Sequence, residues 1–317
     1  MNTFQLSTLQ LSAGKRTAEG SAGLRTLVLA LSCALNLGLA TDAVHARDGV
    51  EVGSSSKLAR LVPAEKLEQA ASQQYQQMLQ EASAKKALAP DSDPQVVRLR
   101  AISQKIIPFA TEWNPRAASW KWEVNLLLSD QINAFCMPGG KIAFYSGILE
   151  KLKLTDDEVA MIMGHEVAHA LREHARERMG KSMATNGAIA IGANLLGLGN
   201  VGTGLANMGG QLLTMKFGRE DESESDLIGM ELAAKAGYDP RAGVSLWQKM
   251  GAASKGAPPQ FLSTHPSGPS RITNIEANLP KVLPFYEKAK PAGATASKAK
   301  TKRPVVTDAS DKASNSR

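Results

Sequence analysis

Apolar residues recur at helical spacing in two stretches of the first half of the chain. Residues 64–89 contain neither Gly nor Pro and are rich in Ala, Leu, Gln, Glu and Lys, which favour helices. Pro90 and Pro94 follow, and residues 95–110 then carry a second apolar stripe. Because proline interrupts helices, the pattern predicts two helices, over residues 64–89 and 95–110.

The next apolar segments are short and have the character of strands. Residues 120–128 alternate apolar and polar positions and then become wholly apolar, which is typical of a strand. Residues 134–149 contain two apolar runs separated by Pro138, Gly139 and Gly140, which are turn residues. We therefore expect a small sheet that includes a hairpin.

One helix stands out near the middle of the chain. Thr155 can cap the free N–H groups of its first turn, and Glu158 can reach back to complete a capping box. Apolar residues then follow at helical spacing, and the pattern predicts one helix as far as about Met179. The residues of this stripe are Val159, Ile162, Met163, Val167 and Ala170.

The second half of the chain is also predominantly helical in pattern. Residues 187–213 are apolar and rich in glycine, with three asparagines, and predict a packed helical hairpin or mobile flap. A membrane contact is the alternative for this segment, since small residues at this spacing also occur in membrane helices. Helices are predicted over residues 219–236, 240–250 and 271–278. The expected fold class is therefore α+β, mainly helical, with a small sheet.

The positive charge is concentrated at the two ends of the chain. The formal net charge is +7, of which residues 288–317 carry +6 and residues 1–46 carry +1. The central part is therefore neutral, which argues against a nucleic-acid-binding face. Because residues 288–317 contain few large apolar groups, we expect a disordered, solvated basic tail, with contact to an anionic surface as the alternative.

The start of the chain has the pattern of a secretory signal. Basic residues precede an apolar run at positions 27–40 that is short for a bilayer span, and small residues follow up to Ala46. We expect cleavage after Ala46, with an uncleaved membrane anchor as the alternative. The predicted domains are a signal peptide at 1–46, one folded domain at 47–287 and the tail at 288–317. Cys136 is then the single cysteine of the mature protein and is expected to be a buried apolar residue.

The central helix carries the residues with the clearest chemistry. His165 and His169 are four residues apart and share one helix face, so that both can bind a single Zn²⁺ ion. Glu166 lies between them and can take a proton from a metal-activated water. The motif therefore predicts a catalytic zinc site with one zinc ion per chain.

A third zinc ligand has to come from another element. Glu222 and Asp226 share one face of the helix at 219–236, so that one can bind metal while the other steadies a ligating histidine. Glu220 and Glu224 have equivalent spacing, and pattern alone leaves the choice open. His174 follows His169 by five residues, and we expect it to point away from the metal and to be structural.

Taken in order, four motifs resemble a known peptidase family. They are the His165 to His169 motif, the Arg219 to Asp226 run, the 133–140 segment, and the 264–267 segment with Arg271. Together they are similar to the family of HtpX and the CAAX prenyl endoprotease (metallopeptidase family forty-eight), and most of all to its soluble periplasmic branch, which includes BepA and LoiP. The resemblance covers roughly residues 64–285. It implies a gluzincin-type zinc peptidase domain.

The resemblance also implies roles for individual residues. Glu222 is the implied third zinc ligand, and Glu166 is the implied general base. Asp226 is implied to hold a zinc-ligating histidine in place without binding the zinc itself. The edge strand that pairs with an extended substrate is implied to be Ile142, Ala143, Phe144 and Tyr145. His265 is implied to act as a fourth ligand that latches the enzyme closed, or to stabilise the oxyanion once displaced.

These features predict a periplasmic zinc metalloendopeptidase that cleaves misfolded or stalled cell-envelope proteins. Association of this enzyme with the membrane is part of the prediction as an alternative to a freely diffusing form. Its expected partners are unfolded envelope polypeptides and the outer-membrane assembly machinery, and not nucleic acid. One alternative is a chaperone or assembly factor for outer-membrane proteins with little proteolysis. Another is a glycine-rich membrane-embedded protein whose histidines are incidental.

Overall fold

The computed structural model describes residues 48–185, 212–213, 215–254, 259–266 and 269–290. The expected signal peptide and its cleavage site lie outside these residues. So do almost all of the glycine-rich segment at 187–213 and the tail beyond residue 290. Among the described helices, none combines the length and the apolar character needed to span a lipid bilayer.

The mainly helical α+β fold expected from the sequence is confirmed. Short 3-10 helices supplement the α-helices at Lys57–Leu61, Ile107–Glu112 and Pro115–Ser119. The α-helices are α1 (Ala64–Ala84), α2 (Pro94–Ile106), α3 (Ser146–Lys151), α4 (Asp156–Leu171), α5 (His174–Thr185), α6 (Arg219–Lys235), α7 (Ala242–Ala253), α8 (Gln260–Thr264) and α9 (Pro269–Ala289).

A three-stranded mixed sheet lies beside α4. Its strands are β1 (Glu123–Leu127), β2 (Ala134–Met137) and β3 (Lys141–Tyr145), in the order β1-β3-β2. β3 runs parallel to β1 and antiparallel to β2. The predicted hairpin is therefore present as β2 and β3, and the residues that follow it, at the end of the predicted apolar run, form α3 instead.

The prediction that residues 142–145 form the edge strand is wrong. They belong to β3, the central strand, which is paired on both sides. The physical reason is that Ile142, Ala143 and Phe144 are all completely buried, with apolar groups toward both faces of the sheet. A strand buried on both faces has a continuous apolar sequence. Among the described residues, the free edge beside α4 belongs to β2.

The helix predicted to run from Thr155 to about Met179 is two helices. The Thr155 capping box with Glu158 is present, but α4 ends at Leu171 and α5 begins at His174. Between them Glu173 has a φ of 56°, in the left-handed region that side chains other than glycine rarely adopt. The chain therefore changes direction directly after the two histidines of the zinc motif.

The last helix is longer than predicted. Instead of ending near residue 278, α9 continues to Ala289 with Pro280 and Pro284 inside it. Ile275 and Val282 are fully buried on one face of this helix, and their packing maintains helical structure that local proline signals oppose. The helix also passes the boundary predicted at residue 287.

The backbones of α4 and α6 are in direct contact. A Cβ atom placed on Gly164 would lie 2.5 Å from the carbonyl oxygen of Gly229, and one on Gly229 would lie 2.5 Å from the amide nitrogen of His165. Only glycine allows so close an approach. This contact places the histidine motif of α4 against the acidic residues at the beginning of α6.

Candidate metal centre

Donor atoms from two helices, α4 and α6, and from one loop position after α8 converge in the core. One ligand atom from each of His165, His169, Glu222 and His265 lies within 4.8 Å of the others. Each of these residues is at most 4% exposed. His165 Nε2 is 3.1 Å from His169 Nε2 and 3.6 Å from Glu222 Oε2. Imidazole nitrogens and a carboxylate oxygen are the donors that zinc prefers, so the set fits this ion.

The structure separates Glu222 from the acidic residues that have similar spacing on α6. Glu222 lies in the donor cluster, whereas the side chain of Glu224 contacts His174. Glu220 is exposed and lines a different cavity. Asp226 is buried one turn further along the helix and reaches His165.

The protonation states of the cluster suit metal binding. Burial, together with the neighbouring histidines, lowers the pKa of His169 well below its ordinary value, so this ring is neutral. Burial alone would raise the pKa of Glu222, but the hydrogen bond with His265 and the charges of His165 and Arg271 outweigh it and lower that pKa. A neutral imidazole and an ionised carboxylate are the forms that bind a metal.

Asp226 and Arg271 hold two of the donor residues in place. Asp226 Oδ1 lies 3.1 Å from His165 Nδ1, on the opposite side of the ring from the cluster. Arg271 donates to both carboxylate oxygens of Asp226 and to Glu222 Oε2, each at 2.6 Å. Although burial opposes ionisation, the Arg271 charge and these bonds lower the pKa of Asp226 to about 2. The sequence indicated Arg271 only as part of a motif, and this position was missed.

Glu166 is buried beside the cluster, and its pKa is raised because burial disfavours the charged form. Its Oε1 atom has no hydrogen-bond partner among the residues that the structure describes, and His265 Nε2 lies 3.6 Å from it. A buried carboxylate oxygen without a partner fits a site that receives a further polar group, such as water.

A cavity of about 320 Å³ connects Glu166, His169 and His265 with the free edge of β2. The Tyr145 amide donates to the Asn133 carbonyl at 3.1 Å. Because bonding alternates along an antiparallel pair, the main-chain groups of Ala134 and Cys136 point away from β3. They are therefore available to an extended chain lying in the cavity.

His174 lies outside the donor cluster, as expected, but it contacts a candidate ligand from behind, which the sequence did not predict. Its Nδ1 atom lies 2.9 Å from His169 Nδ1, and its Nε2 atom lies 2.8 Å from Glu224 Oε2. The interruption at Glu173 removes His174 from the helical register that the prediction assumed. No periodic signal in the sequence would have placed it against His169.

Peptidase family M48 matches residues 96–279, which include all residues of the cluster. The mitochondrial metalloendopeptidase OMA1 of Schizosaccharomyces pombe is 37% identical over 164 residues, covering 51% of this chain and 48% of that protein. The metalloprotease LoiP of Escherichia coli is 27% identical over 203 residues, covering 63% and 76%.

A third relative is the beta-barrel assembly-enhancing protease of Escherichia coli, which is 28% identical over 170 residues, 50% of this chain and 35% of that protein. The OMA1 proteins of Schizosaccharomyces pombe and Arabidopsis thaliana are matched over 48% and 30% of their length. The chain thus spans about half or less of these mitochondrial relatives.

Proposed function

Because the chain belongs to peptidase family M48, we propose that it is a zinc-dependent endopeptidase. The observation that carries the proposal is the buried cluster of His165, His169 and Glu222 with Glu166 beside it. A structural site would need no carboxylate with an unpartnered oxygen, whereas a hydrolytic site needs a base next to the metal.

We assign one role to each of these residues. His165, His169 and Glu222 hold the zinc, which when bound polarises a carbonyl and makes a water molecule acidic. Glu166 accepts the proton of the attacking water and passes it to the leaving amine. Its raised pKa makes the carboxylate a better base and its conjugate acid a usable donor at neutral pH.

The substrate is proposed to bind as an added strand on β2. The free groups of Ala134 and Cys136 supply the main-chain hydrogen bonds, and the cavity leads from this edge to Glu166. Pairing through main-chain groups requires an extended substrate segment and depends little on the side chains of the substrate. Unfolded polypeptides are therefore the proposed substrate class.

His265 is proposed to latch the site in its resting form. The residue follows α8, and its ring lies between the base and the third ligand, with Nδ1 3.1 Å from Glu222 Oε1. Burial opposes protonation of His265, but the charges of Glu166 and Glu222 raise its pKa. Its ring occupies the space that water and a substrate carbonyl need. Replacement of His265 by Ala should therefore raise the cleavage rate, whereas loss of activity would support the oxyanion role.

The proposed setting is protein quality control in a bacterial-type periplasm. The similarity to LoiP and to the beta-barrel assembly-enhancing protease supports it, and the expected signal peptide at 1–46 is consistent with it. The name of the beta-barrel assembly-enhancing protease also supports the second candidate function, a factor that assists outer-membrane protein assembly with little proteolysis. The mitochondrial relatives are also metalloendopeptidases, so the proposed chemistry does not depend on the periplasmic setting.

Cleavage of an unfolded protein by the mature chain tests the proposal. Wild type should cleave, and Glu166→Gln should bind the same amount of zinc but cleave slower by about 10²-fold or more. Glu220→Gln, an exposed change on α6, is the matched control and should cleave at the wild-type rate. If the wild-type protein and the His265→Ala variant both bind zinc and neither cleaves, the assembly-factor function is favoured.

A further inference from the structure

A chain of polar contacts connects the surface of α6 to the far side of a zinc-ligand candidate. His174 is 1% exposed, and its two ring nitrogens contact His169 Nδ1 at 2.9 Å and Glu224 Oε2 at 2.8 Å. Arg172 Nη2 holds the other carboxylate oxygen of Glu224 at 2.8 Å. Ser225 Oγ lies 3.4 Å from His174 Nδ1.

These contacts determine where the protons lie. His169 Nε2 faces the donor cluster and must be unprotonated to bind a metal, so its Nδ1 carries the proton. The Nδ1 atom of His174 then has to accept this proton in a hydrogen bond. Its Nε2 carries the remaining proton and donates it to Glu224, which as a carboxylate only accepts. One tautomer of each ring satisfies every contact.

The two histidines of the motif are thus supported in different ways. His165 Nδ1 contacts Asp226 directly, at 3.1 Å. His169 reaches its carboxylate, Glu224, through a second imidazole. Partners of this kind fix the tautomer and orientation of a ligating histidine and strengthen its metal binding.

The backbone conformation between α4 and α5 is what makes the indirect contact possible. In a continuous helix, His174 would lie about 140° around the axis from His169, because five residues turn the helix by about 500°. The left-handed conformation of Glu173 removes it from that position, and the Glu173 carboxylate is held by Arg176 at 2.7 Å. A left-handed residue just past the last turn is a common way for a helix to end, and here it turns the chain so that His174 meets His169.

We propose that His174 and Glu224 are positioning residues that hold the His169 ring in its metal-binding orientation and tautomer. The proposal rests on the zinc-dependent function above. It predicts that zinc affinity depends on two residues that do not touch the metal.

Zinc affinity, measured by competition with a chromophoric chelator, tests the proposal. His174→Phe keeps a ring of similar size but removes the acceptor, and should weaken zinc binding by about 10- to 100-fold. His174→Asn offers a side-chain oxygen near the position of Nδ1 and should recover part of the loss. Glu224→Ala should also weaken binding, whereas Glu220→Ala on the same helix should bind as wild type does.

Circular dichroism and thermal unfolding of the zinc-free proteins establish which variants fold. If His174→Phe does not fold, the partly exposed Glu224 carries the test through Glu224→Ala against Glu220→Ala. Folded His174→Phe and Glu224→Ala proteins that bind zinc within twofold of wild type would overturn the inference and leave the peptidase proposal intact. A wild-type protein that binds no zinc would instead contradict the peptidase proposal.

Discussion

Substitution of Gly164 by Ala tests the backbone contact that brings the two parts of the metal centre together. The new Cβ would lie 2.5 Å from the Gly229 oxygen and 3.0 Å from its carbonyl carbon and Cα. These are backbone atoms of α6, so no side-chain rotation relieves the overlap. Ordinary contact begins at 3.4 Å, and the helices would have to separate by about 0.9 Å.

Two consequences of this separation can be measured. Overpacking costs about 1–3 kcal/mol, while alanine gains about 1 kcal/mol over glycine in helix propensity, so the free energy of unfolding should fall by up to about 2 kcal/mol and lie about 1–3 kcal/mol below that of an unstrained Gly→Ala change. Zinc sites tolerate shifts of about 0.2 Å in ligand distance. A displacement of Glu222 relative to His165 by several times this amount should weaken zinc binding by tenfold or more.

Denaturant unfolding of the zinc-free protein, followed by circular dichroism, measures the free energy of unfolding. Competition with a chelator measures the zinc affinity. Gly251→Ala is the matched control, because Gly251 lies in α7 with nothing within 4 Å of an added Cβ. This variant should be as stable as wild type or more stable by up to about 1 kcal/mol, with unchanged zinc affinity. If Gly164→Ala behaves like the control, the two helices are not in backbone contact and the reasoning is refuted.

Two further predictions concern the helix cap and the substrate edge. Burial opposes ionisation of Glu158, but its hydrogen bonds with Lys249, Thr155 and Ser245 lower its pKa below the ordinary 4.5. The ionised carboxylate therefore stabilises the fold above pH 4.5, and this contribution is lost as the pH falls through the lowered pKa. Glu158→Gln should therefore lower the free energy of unfolding by about 2 kcal/mol at pH 7. The difference from wild type should shrink as the pH falls below 4.5 and through the lowered pKa, and an unchanged difference would contradict the assignment. Cys136→Pro removes an N–H that points away from β3, so the fold and zinc binding should persist while cleavage of an unfolded substrate falls at least tenfold. The control variant Cys136→Ala keeps this N–H and should cleave at the wild-type rate. Equal activity of the two variants would exclude substrate pairing at β2.

Local signals in the sequence were sufficient for the centre of the site. The Thr155 cap and the apolar stripe predict α4, and two histidines four apart on it can bind one ion wherever the helix packs. Glu222 is different, because Glu220 and Glu224 have equivalent spacing on α6. Only the family resemblance distinguished it, and the structure places it in the cluster.

Features that depend on distant contacts were not accessible in this way. The break at Glu173 has no proline or glycine to mark it, and its effect is to bring His174 to His169. The order of the strands was also missed, because it depends on which elements cover each face of the sheet. Complete burial of Ile142 explains why β3 is central, but burial is a property of the folded chain.

X-ray absorption at the zinc edge of the purified mature protein tests the central claim most directly. The account predicts about one zinc per chain, with only nitrogen and oxygen neighbours at about 2.0–2.2 Å. Burial raises the pKa of the Cys136 thiol well above its ordinary value, so this nearby sulfur stays protonated and should not bind. A sulfur neighbour at about 2.3 Å, or a protein without stoichiometric zinc, would contradict a catalytic site built from His165, His169 and Glu222.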